Sequence, residues 1–156
     1  MTVREATKED MPQVLELIKE LAIFEKEPDA VEVTLQELEL AGFGPNPEFT
    51  CFVAQMNHEI VGMALVYFRF STWVGKTVHL EDLIVKEALR GKGVGTALYR
   101  RVMEYAQQQG VKRVNWMVLG WNKEAIAFYE KTGAKVLDEW WQVEMSQSHY
   151  EKFLKK

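Results

Sequence analysis

Three glycines spaced two apart, Gly91, Gly93 and Gly95, follow the apolar run Leu83-Ile84-Val85 and open a stretch of helical periodicity. A helix start leaves backbone N–H groups unpaired and carries partial positive charge, so it suits phosphate. Glycines remove the Cβ atoms that would keep an anion away from those N–H groups. Arg90 and Lys92 add two positive charges, and Val94 and Thr96 complete the turn. The loop reads as a pyrophosphate cradle. Its spacing excludes the ATP-binding P-loop, because Lys92 is followed by Gly93 rather than a hydroxyl residue. It also departs from the dinucleotide fingerprint, which would place glycine or alanine where Thr96 stands and would follow a first strand.

Two further groups suit proton chemistry. Glu81 and Asp82 lie between Leu80 and Leu83, where a carboxylate is costly without a partner or a task. Alternation along a strand puts Glu81 and Asp82 on opposite faces, so one of them faces a substrate. Downstream, Asn122 is a natural N-cap and Gly133 a natural stop for a helix carrying Phe128-Tyr129. Asn122 and Tyr129 share one face of that helix, about 10 Å apart along its axis. His58, His79 and His149 show no metal-ligand spacing, and no metal is expected. Cys51, the only cysteine, sits in an apolar run and reads as a buried thiol.

The elements that must position these groups are legible from periodicity and punctuation. Residues 2–5 suggest a strand, and Thr7 then caps a helix with Met11, Val14, Leu15, Ile18, Leu21 and Ala22 on one face. Thr34 and Glu37 form a capping-box pattern for a second helix ending near Gly42. Strands are expected over 49–56, 60–70 and 76–86, with Asn57-His58 at a turn. The glycine-loop helix buries Val94, Leu98, Val102, Tyr105 and Ala106 and stops at Gly110; a strand over 111–118, the Asn122 helix and one or two closing strands follow. Hairpin strands first, then alternation with helices, give a mixed, mostly antiparallel sheet with helices on both faces. The expectation is one α/β domain over 1–156. A net charge of −4 and pI near 5.5 argue against nucleic acid and favour a cationic substrate. The lone cysteine and the lack of a membrane-length apolar run point to a cytoplasmic protein without membrane contact.

Arg90-x-x-Gly93-x-Gly95 matches the Gln/Arg-x-x-Gly-x-Gly/Ala signature of the GNAT acetyltransferases, and Asn122-x-x-Ala125-x-x-Phe128-Tyr129 resembles their second familiar stretch. Phe24-Glu25, Gly42-Phe-Gly44, Trp73-Val-Gly75-Lys76 and Leu80-Glu81-Asp82 narrow the resemblance to the diamine branch, which holds the polyamine and thialysine acetyltransferases. The resemblance implies a sheet of six to seven strands, and acetyl-CoA held by Leu83, Ile84, Val85, the loop from Arg90 to Thr96, and Asn122. It implies Glu81 as base toward the amine, directly or through water, Tyr129 as acid for the departing thiolate, and a backbone N–H near Leu83 as oxyanion donor. Phe24, Glu25, Asn115, Trp116, Met117 and Glu139 would approach the amine, and a homodimer would form. Ser71 stands where polyamine-specific members carry an acid, which favours a short thialysine- or lysine-like amine over spermidine. Trp116, Trp121, Trp140 and Trp141 read as core or pocket wall, and Phe68, Phe70 and Trp73 as closing a small pocket. Two other readings are a peptide acetyltransferase with an open groove and a non-catalytic acyl-CoA sensor. Lys152, Lys155 and Lys156 read as a solvated tail.

Overall fold

A computed structural model describes residues 1–155, and Lys156 lies outside the described residues. The elements in order are β1 (Thr2–Glu5), α1 (Met11–Phe24), α2 (Leu35–Phe43), β2 (Thr50–Met56), β3 (Glu59–Ser71), β4 (Gly75–Val85), α3 (Val94–Gln108), β5 (Val114–Trp116), α4 (Lys123–Lys131) and α5 (Gln147–Leu154). Short 3-10 turns at Lys8–Asp10 and Glu87–Leu89 lead towards α1 and α3. Two compact units result, one of Met1–Met117 and the other beginning at Val118.

The first unit holds one five-stranded sheet in the order β1-β2-β3-β4-β5. Its first three pairings are antiparallel and the last, β4 with β5, is parallel. Alternation along β2 and β3 splits the core in two. Cys51, Val53, Met63 and Leu65 face Met11, Val14, Leu15 and Leu17 of α1 and Leu38 of α2. Phe52, Ala54, Ala64 and Val66 face Val94, Leu98, Val102 and Ala106 of α3. Each helix therefore shows a buried stripe of 3.6-residue period, and each strand a period of two. The α2 capping box forms as its sequence predicts, with Glu37 N–H donating to Thr34 Oγ1 at 3.2 Å and Thr34 N–H to Glu37 at 2.8 Å. Thr7 is the N-cap of the turn that leads into α1 and forms a capping box with Asp10. Asp10 accepts the Thr7 N–H at 2.7 Å and both arms of Arg4 at 2.6 and 2.9 Å.

Three expectations are corrected. Among the described residues the sheet has five strands rather than six to seven. The strand expected over 111–118 shrinks to Val114–Trp116, and it pairs with β4 at three positions only. No strand follows it among the described residues; residues 147–154 form α5 instead. Tyr150, Phe153 and Leu154 recur at helical spacing, a pattern that competes with the strand reading.

Candidate active site

The glycine loop forms by local conformation. Gly91 and Gly93 have φ of +72° and +84°, which only glycine adopts freely, and nothing lies within 4 Å of a Cβ built at either. Gly93 caps α3 without a side chain, and no acid stands in the first turn, so the N–H groups of Val94, Gly95 and Thr96 remain available to an anion. Lys92 is exposed at the loop. Arg90 is held by its Nε, which donates to the Val85 carbonyl at 3.1 Å, and its guanidinium lies 4.7 Å from the centre of the Phe24 ring. The end of α1 is thereby tied to the cradle. These features fit the pyrophosphate of coenzyme A.

The strand feeding the loop differs from its sequence reading. Across β3 and β4, Asp82 pairs with Leu65 and Leu80 pairs with Val66, leaving Glu81 as an extra, unpaired residue. This is a β-bulge, and it cancels the alternation expected between Glu81 and Asp82. Leu80 and Leu83 pack on the α3 side. Asp82 lies opposite Leu65 on the α1 side, and Glu81 joins it there through hydrogen bonds to His79 and Tyr67. Both carboxylates face the same side, because the inserted residue adds a half-period to the strand.

Their environments differ. Hydrogen bonding from His79, chiefly, and from Tyr67 outweighs partial burial and holds Glu81 below the usual carboxylate range. Asp82 is pushed up to about 6 by burial, then by the charges of Glu81 and Glu25. Glu25, at the end of α1, is itself raised by burial. Glu25, Glu81 and Asp82 thus form one acidic face, suited to an alkylammonium.

His79 is the residue of this face that sequence reading missed. It is only 5% exposed, packs 5.1 Å from the Tyr67 ring, and places Nε2 3.4 Å from Glu81 Oε2. Arg69 on β3 and Asn115 on β5 close on its other nitrogen at 3.3 and 2.9 Å. The signal available was that His79 and Glu81 are two apart, the spacing of one strand face, but the bulge that brings in Asp82 is invisible without the register.

Other expected site residues fall into place unevenly. Ile84 is buried on the α1 side and Val85 on the α3 side, while Leu83 packs against the α3 cluster. Asn115 faces His79, but its neighbour Trp116 packs edge-on against Tyr99 on the α3 side, away from the carboxylates. Met117 is exposed. Phe70 and Trp73 are each 80% exposed, and Phe68 stacks towards Tyr105 at 6.0 Å, so these three close no pocket. The Ser71 hydroxyl instead accepts the N–H groups of Trp73 and Val74 in the β3–β4 turn. Cys51 is buried, with its thiol pushed up to about 12 by burial, which removes it as a nucleophile.

In the second unit, Asn122 Oδ1 accepts the Ala125 N–H at 3.2 Å and caps α4. Tyr129 lies on that helix with its ring 5.4 Å from Phe128, and Gly133 at φ +93° ends the turn. Glu139 is exposed, and so are Trp121, Trp140 and Trp141, which form no core. Lys152 and Lys155 are exposed as well. Among the described residues, no group of three His, Cys, Asp or Glu side chains is arranged to hold a metal, and no helix is long and apolar enough to cross a membrane.

Comparison with known proteins completes this picture. The profile of the acetyltransferase (GNAT) family matches residues 11–134. Thialysine N-epsilon-acetyltransferase of Sus scrofa is 39% identical over 145 residues, spanning 88% of this chain and 85% of the relative. A spermidine/spermine N(1)-acetyltransferase-like protein of Homo sapiens is 37% identical over 139 residues, 85% of this chain but 20% of its own length. Among solved structures, an integron cassette protein from the mobile metagenome of V. cholerae superposes with a TM-score of 0.79 at 20% identity, covering 99% of this chain and 98% of its own, a likeness of fold. The chain belongs to the GNAT acetyltransferase family. It is an acetyl-CoA-dependent amine N-acetyltransferase, and coenzyme A is the product.

Proposed function

We propose that the chain acetylates the primary amine of a small cation, a thialysine- or lysine-like compound ahead of a polyamine, by direct transfer in a ternary complex. The observation that carries this reading is the acidic face formed by Glu25, Glu81 and Asp82 beside the glycine loop's strand. The names of the relatives, which include thialysine acetyltransferases, support it. Ser71, which is spent on the β3–β4 turn, adds no charge for a longer polycation.

The loop from Arg90 to Thr96 would hold the pyrophosphate of acetyl-CoA, and Leu83, Ile84 and Val85 its pantetheine arm; bound there, it would supply the acetyl group. Glu81 receives the proton of the substrate ammonium, which has an ordinary pKa of ~10.4 and must lose it to become nucleophilic. Asp82 and Glu25 hold the cation in place. A backbone N–H near Leu83 donates to the oxygen on which charge develops. The Tyr129 hydroxyl gives its proton to the sulfur as the carbon–sulfur bond breaks, and the second proton that the attacking nitrogen loses on becoming an amide replaces it. Asn122, Asn115, Met117 and Glu139 complete the contacts in this scheme, and Trp116 is its weakest member because it packs on the α3 side.

The two units act as one acetyltransferase domain over 1–156, a reading supported by the family match, which extends from the first unit into the second as far as residue 134. The apolar, exposed stretch of Trp140, Trp141, Val143 and Met145 supports a homodimer. Sedimentation at micromolar concentration should give a dimer, and a monomer refutes it. A cytoplasmic location accords with the single, buried cysteine.

A peptide acceptor is the second reading, favoured by the exposure of Phe70 and Trp73 where a closed pocket was expected. A panel of amines, amino acids and peptides with acetyl-CoA, followed by thiol release, decides between them. Small ω-amino compounds should be turned over at least ~10-fold faster in kcat/KM than peptides, a difference of about 1.4 kcal/mol. Preference for peptides overturns the proposal.

A further inference from the structure

We infer that His79 is a positioning residue that holds Glu81 by donating a hydrogen bond from Nε2, its tautomer fixed by Arg69 and Asn115. The inference rests on the reading of Glu81 as the base. It begins with the inventory of donors. The Arg69 guanidinium only donates, so its contact of 3.3 Å with Nδ1 requires a lone pair on that nitrogen. The Asn115 amide lies 2.9 Å from the same atom, and its NH₂ group is the half that satisfies a bare nitrogen. With two donors on Nδ1, the ring's single proton sits on Nε2, which faces the Glu81 carboxylate. A proton on Nδ1 would have to displace both donors.

The arrangement is built by tertiary pairing. His79 lies opposite Tyr67 on β3 and beside Asn115 on β5, and Arg69 stands two residues beyond Tyr67 on the same face. Glu81 is the bulged residue, so no strand partner fixes its backbone across the ladder. Its side chain is half exposed, and the buried imidazole gives it a rigid anchor. The charged and titratable groups facing this pair are Arg69, Tyr67 and Asp82, with Glu25 beyond Asp82.

Two consequences follow for the reaction. Nε2 already carries a proton, so His79 cannot take the one that Glu81 removes from the amine; that proton leaves from Glu81 to solvent. The hydrogen bond also lowers Glu81, which keeps it ionised in weakly acidic solution.

The direct test is the imidazole nitrogen spectrum of the full-length protein labelled with ¹⁵N-histidine, with His79 assigned by its loss in His79→Gln. The expected result is a neutral ring protonated at Nε2 and bare at Nδ1 around neutral pH. A ring protonated at Nδ1, or at both nitrogens, overturns the inference whatever the enzyme acetylates. The kinetic test compares His79→Gln, whose amide can still donate to Glu81, with His79→Phe, which keeps a ring but no donor. His79→Phe should lower kcat/KM for the amine about tenfold, the loss expected for one hydrogen bond to a charged group. It should also move the acidic limb of the pH profile upward and leave KM for acetyl-CoA unchanged. His79→Gln should stay within about twofold of the wild type. An unmoved acidic limb in His79→Phe, or equal losses in both variants, means that His79 merely fills space. If the wild type turns over no amine, the functional reading fails, and the nitrogen spectrum alone still decides whether His79 donates to Glu81.

Discussion

The glycine loop and the bulged strand that feeds it are built on different principles, although fewer than about a dozen residues separate them. The loop is assembled from neighbours in sequence: positive φ at Gly91 and Gly93, a helix start at Val94, and two cations beside them. Nothing crowds those glycines, so conformation and access, rather than packing, demand them. The acidic face is assembled from four elements, with Glu25 after α1, Tyr67 and Arg69 on β3, His79, Glu81 and Asp82 on β4, and Asn115 on β5. Local conformation makes the proposed anion site, and long-range pairing makes the proposed cation site.

The largest effect should come from breaking the local half. Gly93→Val must adopt a left-handed backbone that costs a β-branched residue ~1–2 kcal/mol or more, and its side chain shields the N–H groups. Calorimetry should show no acetyl-CoA binding, while thermal unfolding shows a folded protein. At Gly95 the added Cβ would meet Val85 at an ordinary 3.6 Å, so Gly95→Val should fold normally and still bind poorly. Wild-type affinity in either variant would show that the loop is structural only.

Tyr129→Phe keeps the ring and removes the hydroxyl. Turnover should fall by ~10²-fold or more at every pH, with acetyl-CoA affinity unchanged. Glu81→Gln should lose ~10²-fold near neutrality but recover in part at high pH, where solvent deprotonates the amine. A pH-independent loss in Glu81→Gln, or no loss, would remove Glu81 as the base.

The smallest effect is on stability. Asp82 is raised from 3.8 to about 6 in the folded chain, so the folded state binds a proton more tightly than the unfolded one. Between those values stability falls as pH rises, and above about 6 the folded chain carries the whole cost. Asp82→Asn removes this cost and should raise stability at pH ~7 by on the order of 2–3 kcal/mol, with little gain at pH ~3. Chemical denaturation at the two pH values measures it; equal gains at both would show that Asp82 is not held out of its ordinary range.

What was legible follows the same division. The hairpin of β2 and β3 was readable because Asn57-His58 interrupts two continuously apolar runs, and both residues take the positive φ that a tight turn needs. The loop and its helix were readable because glycines and a 3.6-residue stripe are signals of short range. The acidic face was misread at one point: strict alternation separates Glu81 from Asp82, and one bulged residue reunites them. The tryptophans read as core or pocket wall divide, because apolar character gives no address; Trp116 packs on the α3-side core, while Trp121, Trp140 and Trp141 stay exposed.

The sequence by itself determined the anion cradle, the capped α4 that carries Tyr129, and membership of the acetyltransferase family. Each depends on residues within a few positions of one another, where backbone preference acts directly. Only the tertiary structure decided that Glu81 and Asp82 share a face, that His79 is turned toward Glu81, and that Arg69 and Asn115 lie against its other nitrogen. Those outcomes depend on strand register, and register is set by the packing of the whole sheet against α1 and α3.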